Sequence, residues 1–379
     1  MPMLPYREPK LLNNEEEIIS VLKEEEITNV MLVTGKVVRS NGLTSSLENK
    51  LNQNFSLTVF DDAVINPTTD SVMHAVDVYK SNGCQCLIAF GGGSVIDLAK
   101  AIGASIACPN KKLYDMKGLL KVNHKTPILI AIPTTAGTGS EATLSAVITN
   151  SKTHHKSTIN DFDLIPDYAL HNPSLTLGLP SQSTATTGMD ALTHAIEAYI
   201  GRSTTKSTRN YSLEAIKLIF ENLENSYHEG SNLQARENML KASYCAGLAF
   251  SKSYVGYVHA ISHSLGGKYN VPHAYANAII LPHMLRFYGK EIYKKLWKIG
   301  LYVGMFDENT TKEDGARIVI EKIESMNKNM NIGNSFDCIV DEDIPYLAKT
   351  ASKEANPLYP VPVLYSAKNL ENVYKIIKK

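Results

Sequence analysis

The sequence predicts two domains, an α/β domain built on a doubly wound parallel sheet and an all-α domain that follows it. The chain has 379 residues, a length typical of about two domains. Its first half alternates short apolar runs with amphipathic segments, whereas its second half contains long helical patterns and few strand-like runs. We therefore expect residues 1–180 to form the α/β domain and residues 181–379 to form the helical domain.

Four apolar runs in the first half are predicted to be strands, near residues 30–33, 57–60, 86–90 and 127–132. Helical patterns near residues 45–51, 69–80 and 94–106 separate them. Strands that are apolar throughout are typical of a parallel sheet covered by helices on both faces. In such sheets ligands bind beyond the carboxyl ends of the strands, so the loops at those ends are the first candidates for a functional site.

The composition excludes several classes of partner. Lys and Arg number 38, as do Asp and Glu, and no long basic cluster is present, so we expect neither nucleic acid nor a membrane surface as partner. The five cysteines are scattered, which indicates free thiols in a reducing, cytoplasmic compartment. Residues 1–7 lack the apolar segment of a signal peptide, and no apolar run is long enough to span a bilayer.

A glycine-rich loop follows the third predicted strand. Gly91-Gly92-Gly93-Ser94 leads into an amphipathic helix that carries Asp97 in its first turn. Glycines at this point let backbone N–H groups approach a diphosphate at a helix N-terminus. The loop matches neither the G-x-G-x-x-G fingerprint nor a Walker A loop, so a tight strand–helix turn is the alternative interpretation.

A second polar loop, residues 133–141, follows the fourth predicted strand. It carries the hydroxyls of Thr134, Thr135, Thr138 and Ser140 within a few residues, which suits hydrogen bonding to phosphate or ribose. An ordinary Ser/Thr loop would explain this segment by itself. Two such loops at two strand ends favour a dinucleotide-binding domain.

The predicted helix near residues 188–199 carries Asp190 and His194 on one face, four residues apart, among apolar neighbours. A carboxylate and an imidazole on such a face cost free energy unless something pairs them. One explanation is a buried Asp–His hydrogen bond, and the other is half of a metal site.

A histidine cluster farther along the chain favours the metal site. His259 and His263 are again four apart on a predicted helix, which we expect to end at Gly266-Gly267, and His273 begins the next helix after Pro272. Three histidines and one aspartate form a nitrogen and oxygen donor set that suits Fe²⁺, Zn²⁺, Mn²⁺ or Co²⁺. The His-Glu-x-x-His pattern of metalloproteases is absent.

Taken together, these motifs resemble the iron-dependent (group III) alcohol dehydrogenases, in order and spacing over nearly the whole chain. The resemblance rests on the glycine loop with Asp97 and Lys100, the 134–141 loop, the 188–194 segment, and the 259–263 segment with Pro272-His273. It implies a dehydroquinate synthase-like architecture, in which an N-terminal dinucleotide-binding domain and a C-terminal helical domain have the active site in the cleft between them.

Carried over residue by residue, the resemblance implies a metal held by Asp190, His194, His259 and His273. His263 matches a histidine near the nicotinamide and substrate that does not bind metal, and it is the candidate catalytic proton relay. The positions that match nucleotide contacts are Asn66, Gly92, Gly93, Ser94, Asp97, Thr134, Thr135, Thr138, Val147 and Lys156.

One departure from the family concerns the cofactor. Many members carry an aspartate after the first strand, where its carboxylate binds the adenosine ribose and repels a 2′-phosphate. Gly35 stands at that position here, with Lys36 and Arg39 nearby. We therefore predict that the enzyme favours NADP(H) over NAD(H).

The expected activity is hydride transfer between NAD(P)(H) and a small primary alcohol or aldehyde, dependent on Fe²⁺ or Zn²⁺. Phe250, Tyr254 and Tyr257 near the predicted site favour a small uncharged substrate. A Zn²⁺-dependent glycerol or polyol dehydrogenase is the nearest alternative. A dehydroquinate-synthase-like lyase is disfavoured because few cationic side chains lie near the histidines. A homodimer is expected.

Overall fold

The computed structural model describes residues 6–153 and 156–379, so most of the segment compared with a signal peptide lies outside the described chain. The chain divides into two compact units, Met1–Thr176 and Leu177–Lys379. The domain boundary after residue 180 stays a prediction. Among the described residues, no helix is both long and apolar enough to cross a membrane.

A parallel sheet forms the centre of the first unit. The strands of this unit are β1 (Lys10–Leu12), β2 (Asn29–Thr34), β3 (Ser56–Phe60), β4 (Cys86–Gly91), β5 (Gly118–Leu119), β6 (Ile128–Pro133), β7 (Ser145–Thr149), β8 (Lys156–Asn160) and β9 (Tyr168–Leu170). Six of them form the sheet in the order β1-β9-β6-β4-β2-β3, and all neighbours are parallel. The four predicted strands are its β2, β3, β4 and β6.

Helices cover both faces of this sheet because successive side chains of each strand point to opposite sides. The helices are α1 (Glu15–Glu24), α2 (Lys36–Ser40), α3 (Ser45–Asn54), α4 (Thr69–Ser81) and α5 (Gly93–Ala107). In β4, Ile88 and Phe90 belong to the apolar core shared with α1 and α3. Leu87 and Ala89 belong to the core shared with α4 and α5. The predicted α/β class is confirmed.

A small second sheet was not predicted. It has the order β5-β8-β7, with β8 parallel to β5 and antiparallel to β7. It follows the 133–141 loop in the chain, and Val147, a predicted nucleotide contact, lies in β7.

The second unit is helical, as predicted. Its helices are α6 (Ser181–Ile200), α7 (Lys206–His228), α8 (Leu233–Ser253), α9 (Tyr257–Tyr269), α10 (His273–Tyr288), α11 (Tyr293–Tyr302), α12 (Lys312–Asn329), α13 (Ile344–Ala355) and α14 (Ala367–Ile377). Helix α6 is central, since it is buried from Gly188 to Ile200 and packs against α7, α8 and α10. A Cβ at Gly188 would lie 2.2 Å from Leu223 Cδ1, so the close approach of α6 and α7 requires glycine there.

The predicted end of α9 was wrong. Gly266 and Gly267 continue the helix, which ends at Tyr269. Asn270, with φ 57°, takes the left-handed cap conformation instead. The helix therefore needs no glycine cap, because an asparagine tolerates the same backbone conformation.

Candidate metal centre and nucleotide loops

Three of the four predicted metal ligands come together from three helices. Asp190 on α6, His259 on α9 and His273 on α10 each offer a donor atom, and these atoms all lie within 4.8 Å of one another. His273 Nε2 is 3.7 Å from Asp190 Oδ1. Asp190 and His259 are buried, so their polar atoms are withdrawn from water. One oxygen and two nitrogens in this grouping suit a divalent transition metal.

A buried carboxylate orients His259. Glu197 Oε2 lies 2.6 Å from His259 Nδ1 and accepts a 2.7 Å hydrogen bond from the backbone N–H of Gly256. Its Oε1 accepts from the N–H of Val258 at 2.8 Å. Burial raises the pKa of Glu197 to about 8, against the opposing effect of these N–H groups. The arrangement leaves His259 Nε2 on the side of the other donors, as a metal ligand requires.

The protonation of His259 also suits metal binding. Burial, together with the neighbouring His194, His273 and His263, holds the pKa of His259 well below its usual value. A neutral imidazole can offer a lone pair to a cation, whereas an imidazolium cannot.

Asn277 lies among the three donors, one helical turn after His273. Its Nδ2 donates to Asp190 Oδ1 at 2.7 Å and lies 3.1 Å from His273 Nε2 and 3.3 Å from His259 Nε2. The amide N–H₂ group is thus within hydrogen-bond reach of all three proposed ligand atoms. Asn277 Oδ1 is buried and has no hydrogen-bond partner among the described residues.

His194, the fourth predicted ligand, does not join that group in the described structure. Its ring stacks on Phe250 at 4.2 Å between centroids and on His259 at 4.6 Å. It is therefore buried beside the donor set.

His263 also lies beside the donor set. Its ring stacks on that of His273, with 5.0 Å between centroids and an angle of 21° between planes. Its Nδ1 lies 2.7 Å from Glu354 Oε1. The side chain remains partly exposed, at 39%.

Of the three aromatic residues predicted to lie near the site, Tyr257 packs in the core at the start of α9. Its ring is fully buried, and its hydroxyl donates to Asn356 Oδ1 at 2.7 Å, so it is a core residue. Phe250 stacks on His194 as described. Tyr254 is 37% exposed and adopts φ 62°, an uncommon conformation for a bulky residue.

In the first unit, the structure joins three predicted nucleotide contacts. Lys156 Nζ donates to Asn66 Oδ1 at 2.8 Å, and the backbone N–H of Asn66 donates to Ser94 Oγ at 3.3 Å. Asn66 has φ 55°, which places it in the left-handed region that Asn tolerates. Three segments that are distant in sequence therefore meet at the glycine loop.

The two predicted loops pack directly against each other. A Cβ on Gly93 would lie 2.6 Å from Thr138 Oγ1, and one on Gly92 would lie 3.3 Å from Thr135 Cγ2. Thr134 is buried, and its backbone N–H donates to Gly91 O at 3.1 Å. The glycines therefore allow the 133–141 loop to approach the start of α5.

Asp97 and Lys100 tie the second loop to α5. Asp97 Oδ1 accepts from Ser140 Oγ at 2.7 Å, and its Oδ2 accepts from the backbone N–H of Val147 at 3.0 Å. Burial raises the pKa of Asp97, while the nearby Lys100 lowers it. Lys100 is 1% exposed, and its Nζ lies within hydrogen-bond distance, 2.6–3.2 Å, of five oxygens of Ser140, Thr143 and Ser145.

The residues around Gly35 are ion-paired. Gly35 precedes α2 and forms a bridge with Asp62. Lys36 Nζ lies 2.5 Å from Asp62 Oδ1, and Arg39 Nη1 lies 2.8 Å from Asp61 Oδ2. The two cations on which the NADP(H) prediction depends thus already have carboxylate partners.

Comparison with known proteins assigns the family. The sequence model described as "Iron-containing alcohol dehydrogenase" matches residues 12–173, and the one described as "Fe-containing alcohol dehydrogenase family, C-terminal" matches residues 184–378. The chain belongs to the iron-containing alcohol dehydrogenase family. Its activity is therefore that of a metal-dependent alcohol dehydrogenase or aldehyde reductase, and the family implies Fe²⁺ and a nicotinamide cofactor.

Individual members of the family are similar over most of their length. The chain is 37% identical to a 1,3-propanediol dehydrogenase of Citrobacter freundii, over 86% of this chain and 85% of that protein. It is 34% identical to an NAD-dependent methanol dehydrogenase of Bacillus methanolicus, over 89% of each. A crystal structure of a 1,3-propanediol oxidoreductase superposes with a TM-score of 0.93, at 32% identity, over 98% of this chain and 99% of that one.

Sequence reasoning missed the residues that support the donors. Glu197 follows Asp190 by seven residues and His194 by three, so helical spacing alone would have placed it on the same face. Asn277 follows His273 by four residues and could have been found in the same way. Glu354 lies far from His263 in sequence, and no spacing indicates their contact.

Proposed function

We propose that the chain binds its metal through Asp190, His194, His259 and His273 and interconverts a small primary alcohol and its aldehyde. The observation that carries this proposal is the grouping of three donor atoms within 4.8 Å, with Glu197 orienting His259. A bound divalent metal lowers the pKa of an alcohol or polarises a carbonyl oxygen. His194, whose ring stacks on that of His259, would be the fourth ligand.

The remaining chemistry is divided between the cofactor and the chain. The nicotinamide carries the hydride, so no protein nucleophile is needed. His263, whose ring stacks on His273, relays the proton of the alcohol oxygen. Asn66, Gly92, Gly93, Ser94, Asp97, Thr134, Thr135, Thr138, Val147 and Lys156 form the proposed nucleotide site, in which Asp97 and Val147 act by holding the loop.

A short, uncharged substrate fits this proposal best. Phe250 lies against His194, and the partly exposed Tyr254 lies near Tyr359, with 6.4 Å between ring centroids. Two of the relatives are named as a 1,3-propanediol dehydrogenase and a methanol dehydrogenase, and both names specify a short alcohol. A small primary alcohol, diol or corresponding aldehyde is therefore the proposed substrate class.

Aldehyde reduction by metal-reconstituted protein tests this proposal. Apoprotein loaded anaerobically with Fe²⁺ or Zn²⁺ should oxidise NADPH or NADH in the presence of butyraldehyde or 3-hydroxypropanal. Metal-free protein is the control and should be inactive. If no small aldehyde supports turnover with either metal and either cofactor, the proposed function is wrong.

We propose further that NADP(H) is favoured over NAD(H). Gly35 supplies no carboxylate to repel a 2′-phosphate, and Lys36 and Arg39 lie beside it. Their pairing with Asp62 and Asp61 opposes this preference, because each cation must exchange its partner to contact a phosphate. The Bacillus methanolicus relative is named as NAD-dependent, so this chain would differ from it.

Substitution of Gly35 tests the cofactor proposal. The wild-type enzyme should have a higher kcat/KM with NADPH than with NADH. Gly35→Asp should lower kcat/KM for NADPH by at least about tenfold, since a carboxylate would face the 2′-phosphate, and should change NADH much less. A wild-type enzyme that prefers NADH, or a Gly35→Asp variant that keeps the NADPH value, would contradict the proposal.

A homodimer and a cytoplasmic location complete the proposed description. The described cysteines, Cys84, Cys86, Cys108, Cys245 and Cys338, are free thiols, which suits a reducing compartment. Sedimentation equilibrium would test the dimer.

A further inference from the structure

His263 has a carboxylate partner that the sequence does not indicate. Its Nδ1 lies 2.7 Å from Oε1 of Glu354, a residue of α13. Helix α13 packs against α9, which carries His263, so both ends of this contact are on ordered helices. One face of the imidazole lies against His273. The ring is therefore held between Glu354 and the donor set.

A second donor fixes the carboxylate itself. The hydroxyl of Tyr359 donates to the same Glu354 Oε1 at 2.7 Å. An oxygen that accepts two short hydrogen bonds is best suited by an ionised carboxylate.

An ionised Glu354 determines which nitrogen of His263 carries the proton. A carboxylate can only accept, so Nδ1 must be the N–H donor and Nε2 keeps its lone pair in the neutral ring. A glutamine in place of Glu354 has nearly the same shape but carries an amide. It could either donate a hydrogen bond to Nδ1 or accept one from it. It would therefore leave both tautomers accessible.

We propose that Glu354 is a positioning residue that holds His263 with its proton on Nδ1, so that Nε2 is the atom that exchanges a proton with the substrate. This inference rests on the proposed function and deepens it. In alcohol oxidation the O–H bond breaks and its proton goes to Nε2, directly or through one water. The C–H bond breaks with its electron pair going to the nicotinamide, and the C=O bond forms. The imidazolium then releases its proton to solvent.

Steady-state kinetics of Glu354→Gln provide the first test. The variant should lower kcat roughly ten- to a hundredfold, part of the factor that a positioned acid–base group contributes, with little change in KM or metal content. Glu354→Asp, which keeps the charge, should recover part of the loss. Tyr359→Phe leaves the carboxylate in place and should lose less than Glu354→Gln. A Glu324→Gln variant is the matched control, since Glu324 pairs with Arg286 on an exposed surface.

The double variant separates positioning from a structural role. In a His263→Ala background, Glu354→Gln should cause no further loss of kcat, because its effect passes through the imidazole. An equal loss in both backgrounds, a fall in metal content, or an unchanged kcat in the single variant would overturn the proposal.

A spectroscopic readout does not depend on turnover. In protein labelled with ¹⁵N-histidine, the ring nitrogens of His263, assigned by their absence from His263→Ala, should show a protonated Nδ1. Glu354→Gln should shift them toward a mixture of tautomers. An Nε2-protonated ring in the wild-type protein would contradict this inference even if aldehyde reduction succeeds. A wild-type protein with the expected tautomer but no turnover would instead contradict the proposed function.

Discussion

His259 is held at both ring nitrogens by neighbours that leave the imidazole little freedom. Nδ1 contacts Glu197 at 2.6 Å, and Nε2 lies 3.3 Å from Asn277 Nδ2. The carboxylate also fills the space beside Gly256, where a Cβ would lie 2.7 Å from Glu197 Oε1. Gly256, the Glu197 carboxylate and His259 therefore form one packed unit. A change at any of them moves His259, a proposed metal ligand.

Alanine substitutions distinguish ligands from neighbours at this site. His259→Ala or His273→Ala should lose bound metal and reduce aldehyde turnover to that of metal-free protein, because each removes one donor atom. His263→Ala should keep the metal and lower kcat by about a hundredfold. Metal stoichiometry measured by mass spectrometry, together with kcat, checks both expectations.

Two results would contradict this assignment. Loss of metal from His263→Ala would show that His263 is a ligand, and full metal content in His194→Ala would remove His194 from the proposed set. The second result is informative because the structure places His194 beside the donor group and not within it.

For individual residues, the spacing of side chains along helices was the most informative feature of the sequence. It paired Asp190 with His194 and His259 with His263, because side chains four residues apart share a face of a helix, whereas the choice of Asp190, His194, His259 and His273 as the ligand set came from the family resemblance. It did not indicate that Tyr257 is buried, since an aromatic residue near a site in sequence can equally be a core residue. It could not find Glu354, because a contact between two distant helices has no local pattern.

Helix α5 and the 133–141 loop are held together by a buried side chain of the helix. The buried Nζ of Lys100, on α5, lies within hydrogen-bond distance of five oxygens of the segment from Ser140 to Ser145 and so fixes the loop. Burial lowers the pKa of Lys100 to about 8, and Asp97 and then Glu141 act against that decrease. The loop geometry thus depends on an ammonium group that does not need to touch the ligand.

Gly93→Ala tests whether that geometry binds the nucleotide. The new Cβ would lie 2.6 Å from Thr138 Oγ1 and 2.7 Å from its Cγ2, so the loop must move at a cost of about 1–3 kcal/mol. We expect Tm to fall and the Kd for NADPH, measured by fluorescence titration, to increase about tenfold or more.

The matched control is Gly103→Ala on the same helix. Its Cβ would meet Thr126 Cβ at 3.4 Å and Leu87 Cδ1 at 3.7 Å, which are ordinary contacts. This variant should keep the wild-type Kd. If Gly93→Ala binds NADPH as tightly as Gly103→Ala, the close packing of the two loops does not determine nucleotide binding.

Elements with a clear apolar pattern were predicted nearly at their observed ends, as the apolar strands β2 and β4 and the amphipathic helix α4 show. The small sheet was missed because β7 and β8, with the sequences SAVIT and KSTIN, carry hydroxyl, amide and charged side chains that resemble a loop. Strands β1 and β9 have three residues each, too few to show a period.

At the scale of the whole molecule, the chain consists of two units with different construction. The first has a parallel sheet with separate apolar cores on its two faces. The second surrounds the buried helix α6 with other helices. All predicted nucleotide contacts lie in the first unit, and all predicted metal ligands lie in the second. Strands and helices alternate along the first half of the sequence but not along the second. This difference was sufficient to predict an α/β unit followed by a helical one.

The donors Asp190, His259 and His273 belong to three different helices that meet only in the folded unit. An unfolded chain cannot present them together, so a cation that binds them stabilises the native state by thermodynamic linkage. At a free concentration one hundred times its Kd, the gain is about 2.7 kcal/mol. We therefore expect depletion of iron to increase the fraction of chains open to proteolysis, so that metal supply would affect the lifetime of the protein as well as its rate.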